Sequence, residues 1–119
     1  MTESICPVET TLELIGGKYK SLILWHLADG TLRFNELQKA IRSATPRVLT
    51  HQLRELESQK LITRTVYPVV PPKVEYSMTE LGRSLMPVLA KMRDWGTEYL
   101  RSQNIEPNCV MVSGDTSHC

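Results

Sequence analysis

The chain opens without the basic segment and apolar stretch of a secretory signal: MTESICPVETTLELIGGKYK is polar and acidic where such a signal is basic and greasy. No apolar run approaches the roughly 20 residues that cross a bilayer. The expectation is a cytoplasmic protein with no membrane partner. Three cysteines, Cys6, Cys109 and Cys119, form an odd, widely spaced set without a CxxC pair. They suit neither a disulfide framework nor a structural zinc site, and in a reducing compartment they rest as thiols. Internal repeats and low-complexity segments are also missing. What remains is an ordinary composition, 41% hydrophobic and 23% charged, on 119 residues that fit one domain with a modest core.

The net charge of +1 conceals a division. Between Arg33 and Lys73 eight basic residues stand against three acidic ones, a balance of +5, while the rest of the chain carries six against ten. A basic middle third points to a surface that faces a polyanion. A charge run by itself more often only solvates a face, so the order of elements has to carry the argument.

Pro7 suits the first position of a helix, with Cys6 at its start and Glu9 placed to reach back to the cap; Gly16-Gly17 stops it. Residues 20–28 read as a second helix with Leu22, Ile23, His26 and Leu27 inward, followed by a short strand at residues 31–33. A third helix over residues 35–41 turns Leu37, Ala40 and Ile41 inward. Thr45-Pro46 is a cap and first helical residue, so a fourth helix follows at once and runs to about Gln59. Its Leu49, Leu53 and Leu56 form one stripe, with Arg47, Thr50, His51 and Arg54 on the other side. The period then changes to two over residues 61–67 and 73–78, a hairpin with a tip stiffened by Pro68, Pro71 and Pro72. Thr79 starts a long last helix to about Arg101, with a kink expected at Pro87. Residues 1–101 are thus expected to form the domain, and residues 102–119 a flexible polar tail.

Helix, helix, short strand, helix, turn, helix, hairpin is a mainly α winged helix-turn-helix. Its chemistry accounts for the residue types. A recognition helix buries one face and presents polar and basic side chains to the major groove, where Arg47 and Arg54 reach guanine edges or phosphates and Thr50, His51 and Gln52 reach bases or backbone. Thr45 lies where the helix dipole favours a phosphate. Arg33 and Asn35 precede the turn, and Arg64 and Lys73 flank the hairpin beside the groove.

These residues resemble the HxlR family of winged helix regulators, which is similar to the MarR type. The resemblance rests on Gly16-Gly17-Lys18-Tyr19-Lys20, on residues 32–37 (LRFNEL), on residues 49–56 (LTHQLREL), on residues 67–76 (YPVVPPKVEY) and on Thr79-Glu80-Leu81-Gly82. Tyr19 stands where the family usually has tryptophan. The resemblance implies a dimeric bacterial transcription regulator, with a palindromic double-stranded operator, no cofactor, and a cysteine near the N-terminus that senses oxidants or electrophiles. Cys6 occupies that place. At a helix start the dipole favours its thiolate; Glu3 and Glu9 oppose this, and Lys18 and Lys20 support it if the fold brings them near. The bland alternative is a packing thiol.

Leu81, Leu85, Val88, Met92, Trp95 and Tyr99 are spaced 4, 3, 4, 3 and 4 along the last helix, a heptad-like seam for a homodimer. Two other readings compete. A winged helix that binds only protein usually lacks a pair like Arg47 and Arg54. An enzyme using Cys6 with His26 or His51 lacks a third group to orient the base, so no catalytic set is expected.

Overall fold

The computed structural model of the protein describes residues 5–107. Proline stands in the first turn of α1 (Pro7–Ile15), α4 (Pro46–Ser58) and α6 (Met86–Ser102), where its missing N–H has no helical partner to lose. Between them lie α2 (Lys20–Leu27), β1 (Leu32–Arg33), α3 (Phe34–Ala40), β2 (Ile62–Tyr67), β3 (Lys73–Met78) and the single turn α5 (Glu80–Arg83). The strands form one antiparallel sheet in the order β1-β3-β2. Leu32 faces Tyr76, and the hairpin register runs from Ile62 opposite Met78 to Tyr67 opposite Lys73, leaving residues 68–72 as the tip. This is the expected winged helix-turn-helix.

The core is aliphatic. Leu49, Leu53 and Leu56 of α4 are buried against Ile23, Leu24 and Leu27 of α2, Leu37 of α3, and Leu61 and Ile62 at the base of the wing. The inward face of α2 differs from the expected one: Leu24 is buried and Leu22 is exposed. The reason is that α2 packs against α3, α4, α6 and β3 together, so its buried side is wider than one stripe. Leu22 instead lines a depression of about 280 Å³ between α2 and α6, with Trp25, Met92 and Leu100.

Two helices end in the same way without glycine. Lys60 takes φ +64, its N–H bonds the Glu57 carbonyl at 2.9 Å, and the Leu61 N–H bonds the Leu56 carbonyl at 3.0 Å. That is the Schellman arrangement, with buried leucines at both of its hydrophobic positions. Asn104 (φ +61) repeats it on the Arg101 and Leu100 carbonyls. Residues 102–105 therefore finish α6; the part of the expected tail beyond residue 107, including Cys109 and Cys119, lies outside the described residues.

The expected single helix after Thr79 is two. Thr79 does cap, its hydroxyl accepting from the Gly82 N–H at 3.0 Å, but only for α5. Pro87 has no N–H for a helical bond and its ring crowds the carbonyl four residues back, so the helix stops near Arg83 and restarts with Pro87 in the first turn of α6. Leu81 thus stands on α5, Leu85 at the break, and the remaining seam residues on α6.

Candidate nucleic-acid interface

The turn before α4 is fixed from two sides. The Tyr19 hydroxyl donates to the Ser43 carbonyl at 3.0 Å, and the Gln38 amide nitrogen donates to the Ala44 carbonyl. Ile41 and Ala44 are buried beneath it. Tyr19, in the place where a tryptophan is usual, thereby ties the start of α2 to the turn. Thr45 caps α4 by accepting from the Val48 N–H at 3.2 Å. Pro46 has no N–H, and the Leu49 N–H bonds the Thr45 carbonyl. The helix start therefore offers an outside anion the Arg47 amide and the Thr45 hydroxyl hydrogen.

On α4, Arg47, His51 and Arg54 are exposed on the face opposite the leucine stripe. Thr50 is half-buried, and its hydroxyl donates to the Pro46 carbonyl at 2.7 Å. Gln52 departs from the expected set. It is half-buried, its Oε1 is out of solvent without a hydrogen-bond partner, and that oxygen lies on the side of Gly17. At about 100° per residue it falls between the exposed face and the stripe, and packing has drawn it inward.

The other basic residues fall into two clefts on either side of the wing. Arg54 and Arg64 share one of about 240 Å³ with Thr50, Glu57 and Tyr76. Arg33, Asn35 and Lys73 share the other, about 450 Å³, with Phe34 and the wing-tip residues Val69 and Val70. Arg64 on β2 and Lys73 on β3 flank one hairpin but line different clefts, Arg64 beside α4 and Lys73 beside α3. Lys73 is also engaged locally. Its Nζ is 3.6 Å from Glu75 and stands 4.8 Å from the centre of the Tyr67 ring. A hydrogen bond to the Glu75 carboxylate, with its charge, pushes the Tyr67 phenol above its ordinary pKa.

The model described as HxlR-like helix-turn-helix matches residues 14–104. The chain belongs to this family of transcription regulators. The HTH-type transcriptional regulator YdeP of Bacillus subtilis is 60% identical over 94 residues, covering 79% of this chain and 73% of YdeP. The redox regulator HypR in its oxidized form superposes with a TM-score of 0.75 at 53% identity, over 78% of this chain and 96% of that one. The reduced form of the transcriptional regulator YodB from B. subtilis gives 0.70 at 34% identity, over 81% and 95%.

In this HxlR-like chain the remaining expected residues lie away from the wing. Val88, Met92, Trp95 and Tyr99 form an exposed apolar face on α6, with the Trp95 and Tyr99 rings stacked 5.4 Å apart. Leu81 is exposed on α5. Leu85 leaves the expected seam, because at the break between the two helices it is half-buried against the core. Val8 and Leu12 of α1 are exposed as well. Cys6 is a free, exposed thiol at the start of α1, and its side chain makes no cap bond. Lys20, named as a possible thiolate partner, is committed elsewhere: its Nζ is 3.2 Å from Glu55 Oε1 and donates to the Glu13 carbonyl at 3.3 Å. Among the described residues no three potential ligands cluster as a metal site, and no helix is long and apolar enough to cross a membrane.

The sequence reading missed this Lys20–Glu55 pair and the two cleft residues Glu57 and Tyr76. Lys20–Glu55 and Tyr76 are contacts between elements distant in the chain, which no local spacing announces; Glu57, three residues after Arg54 on α4, could have been found from helical spacing.

Proposed function

We propose that this HxlR-like protein binds a palindromic double-stranded DNA operator as a homodimer in the cytoplasm, and that chemistry at Cys6 alters that binding. The observation that carries the DNA reading is the exposed Arg47, His51 and Arg54 face of α4 with a basic cleft on each side of the wing. Two such faces, held about 34 Å apart, read two half-sites. The uncovered Val88, Met92, Trp95 and Tyr99 face supports the dimer.

Arg47→Ala and Arg54→Ala are expected each to weaken operator binding by about 1–3 kcal/mol if the arginine reads a base edge. Lys73→Ala weakens all sequences alike and flattens the salt dependence. Unchanged binding by all three variants rules this docking out. Trp95→Glu is expected to give folded monomers with lost operator affinity, read by sedimentation and mobility shift. A parent that sediments as a monomer while binding tightly contradicts the dimer.

Exposure of the Cys6 thiol and the likeness to a redox regulator support the second part. A hydroperoxide transfers its distal oxygen to the thiolate. Sulfur is oxidised by two electrons, the O–O bond breaks, and the departing alkoxide leaves as an alcohol after taking a proton. A second thiol then attacks the sulfenic sulfur, forming S–S and releasing water. Alternatively a quinone or aldehyde alkylates the thiolate. Comparison of parent, Cys6→Ser and a Cys109→Ser/Cys119→Ser variant before and after diamide, then after reductant, tests the assignment. A Cys6→Ser protein that responds as the parent does removes it.

A further inference from the structure

Helix α1 is fastened to the rest of the molecule at one end. Ile15 is its buried residue, while Val8 and Leu12 along its length are exposed. Cys6 lies at the opposite end, about 13 Å from Ile15 at 1.5 Å per residue. At the fastened end the Lys20 side chain, 8% exposed, reaches oxygens on two other helices. One is the Glu13 carbonyl of α1 at 3.3 Å, the other Glu55 Oε1 of α4 at 3.2 Å. The second carboxylate oxygen of Glu55 faces outward, 3.6 Å from His51 Nε2 on the exposed face of the recognition helix.

A buried ammonium needs its oxygen partners, because water is not at hand to replace them. If α1 tilts about its last turn, the Glu13 carbonyl shifts away from Nζ. The ammonium then draws closer to Glu55, and the carboxylate re-divides itself between Lys20 and His51. The reverse holds if DNA phosphates draw His51 outward.

We infer that Lys20 is a positioning residue that couples the setting of α1 to the recognition helix α4 through Glu55. Its input, a change at the Cys6 end of α1, rests on the sensing proposed above; the coupling itself does not. Coupling between two sites is reciprocal, so DNA bound at α4 must change α1.

The test uses the full chain and a duplex that it selects from a random-sequence pool. Amide hydrogen exchange of α1 is measured with and without this duplex in the parent, Lys20→Met and Glu55→Ala. Methionine replaces the buried ammonium with an apolar chain of similar length, which cores accept. If Lys20→Met nevertheless fails to fold, Glu55→Ala, altered at a side chain 41% exposed, gives the same reading. The expected result is a several-fold change of α1 exchange on DNA binding in the parent, lost in both variants. A side chain that only holds the fold together would alter exchange equally with and without DNA. An α1 that responds to DNA in Lys20→Met as in the parent, or that does not respond in the parent, overturns the inference.

A second arm compares affinity before and after diamide. The parent is expected to change severalfold, whereas Lys20→Met keeps the Cys6 modification by mass spectrometry but brings the affinity ratio close to one. If diamide changes no protein's affinity while the exchange result stands, the sensing role of Cys6 fails and the coupling survives. If Lys20→Met keeps the parent's ratio, the Cys6 signal reaches α4 by another route and the proposed input to the coupling is overturned.

Discussion

Gly82→Ala should be among the most damaging single-methyl additions to this fold. A Cβ built on Gly82 lies 2.2 Å from the Leu61 carbonyl oxygen and 2.8 Å from Met78 Cγ. The methionine can yield, but the carbonyl cannot easily do so, because it accepts from the Thr79 N–H at 3.0 Å and shares the Thr79 hydroxyl, at 3.0 Å, with the Lys60 carbonyl at 2.7 Å. Relief requires α5 to lift from the base of the wing by roughly 1 Å, which a close-packed interior resists. Overpacking of this kind costs about 1–3 kcal/mol, and each of the two stretched hydrogen bonds about 1 kcal/mol. Alanine returns about 1 kcal/mol through its better helix propensity. The net loss is about 2–4 kcal/mol, or roughly 10–20 °C in melting temperature for a domain of this size. The check is urea unfolding of both proteins at equal protomer concentration, since association adds to apparent stability. A Gly82→Ala midpoint equal to that of the parent would refute the reasoning.

Lys60→Gly should stabilise by about 1 kcal/mol, because Lys60 holds φ +64 at a cost glycine does not have; an unchanged or lower urea midpoint contradicts this. Burial holds the His26 imidazole below its ordinary pKa, with Asp29 opposing. The unfolded chain therefore binds the proton first, so this contribution is complete above about pH 6.5 and is lost as pH falls below it, by about 1.4 kcal/mol for each unit of depression. Between pH 7.5 and 5 the parent should lose more stability than His26→Gln, and equal losses dispose of the assignment. Glu57→Gln should raise affinity for any DNA sequence a few-fold at low salt by removing a negative charge from the cleft of Arg54 and Arg64; filter binding that shows no change counts against that cleft as a phosphate contact.

Much of the fold is legible because its signals are local. Thr45-Pro46 and the leucines at 49, 53 and 56 define α4 within a dozen residues, and the change from helical spacing to alternation after Gln59 announces the hairpin. The misreadings arise where a local rule meets a more distant constraint. The kink expected at Pro87 is a full break, because a residue without an N–H ends a helix more firmly than the heptad-like spacing from Leu81 to Tyr99 continues it. Leu22 and Gln52 sit at the borders of their helical faces, where neighbouring elements decide which way a side chain turns. The division of Arg64 and Lys73 between two clefts depends on strand register and on which helix borders each side of the sheet, and neither is written near those residues.

The near-neutral net charge is compatible with a basic working face because two of the three acidic residues of the middle segment are engaged individually. Glu36 accepts from the Arg33 backbone N–H at 2.8 Å, which spends its carboxylate on the start of α3. Glu55 is divided between Lys20 on its inner side and His51 on its outer side. Glu57 alone of the three shows no such engagement and shares an open cleft with Arg54 and Arg64. A charge tied to a buried cation contributes little to the outer field, since the pair acts at a distance as a dipole. The gain from Lys20 pairing Glu55 is offset by Glu75 pairing Lys73, so the field at the recognition face stays near the count of +5 for Arg33 to Lys73. It also depends on Lys20, a residue outside that segment, and removing that cation would both loosen α1 and return a full negative charge to the face that meets DNA.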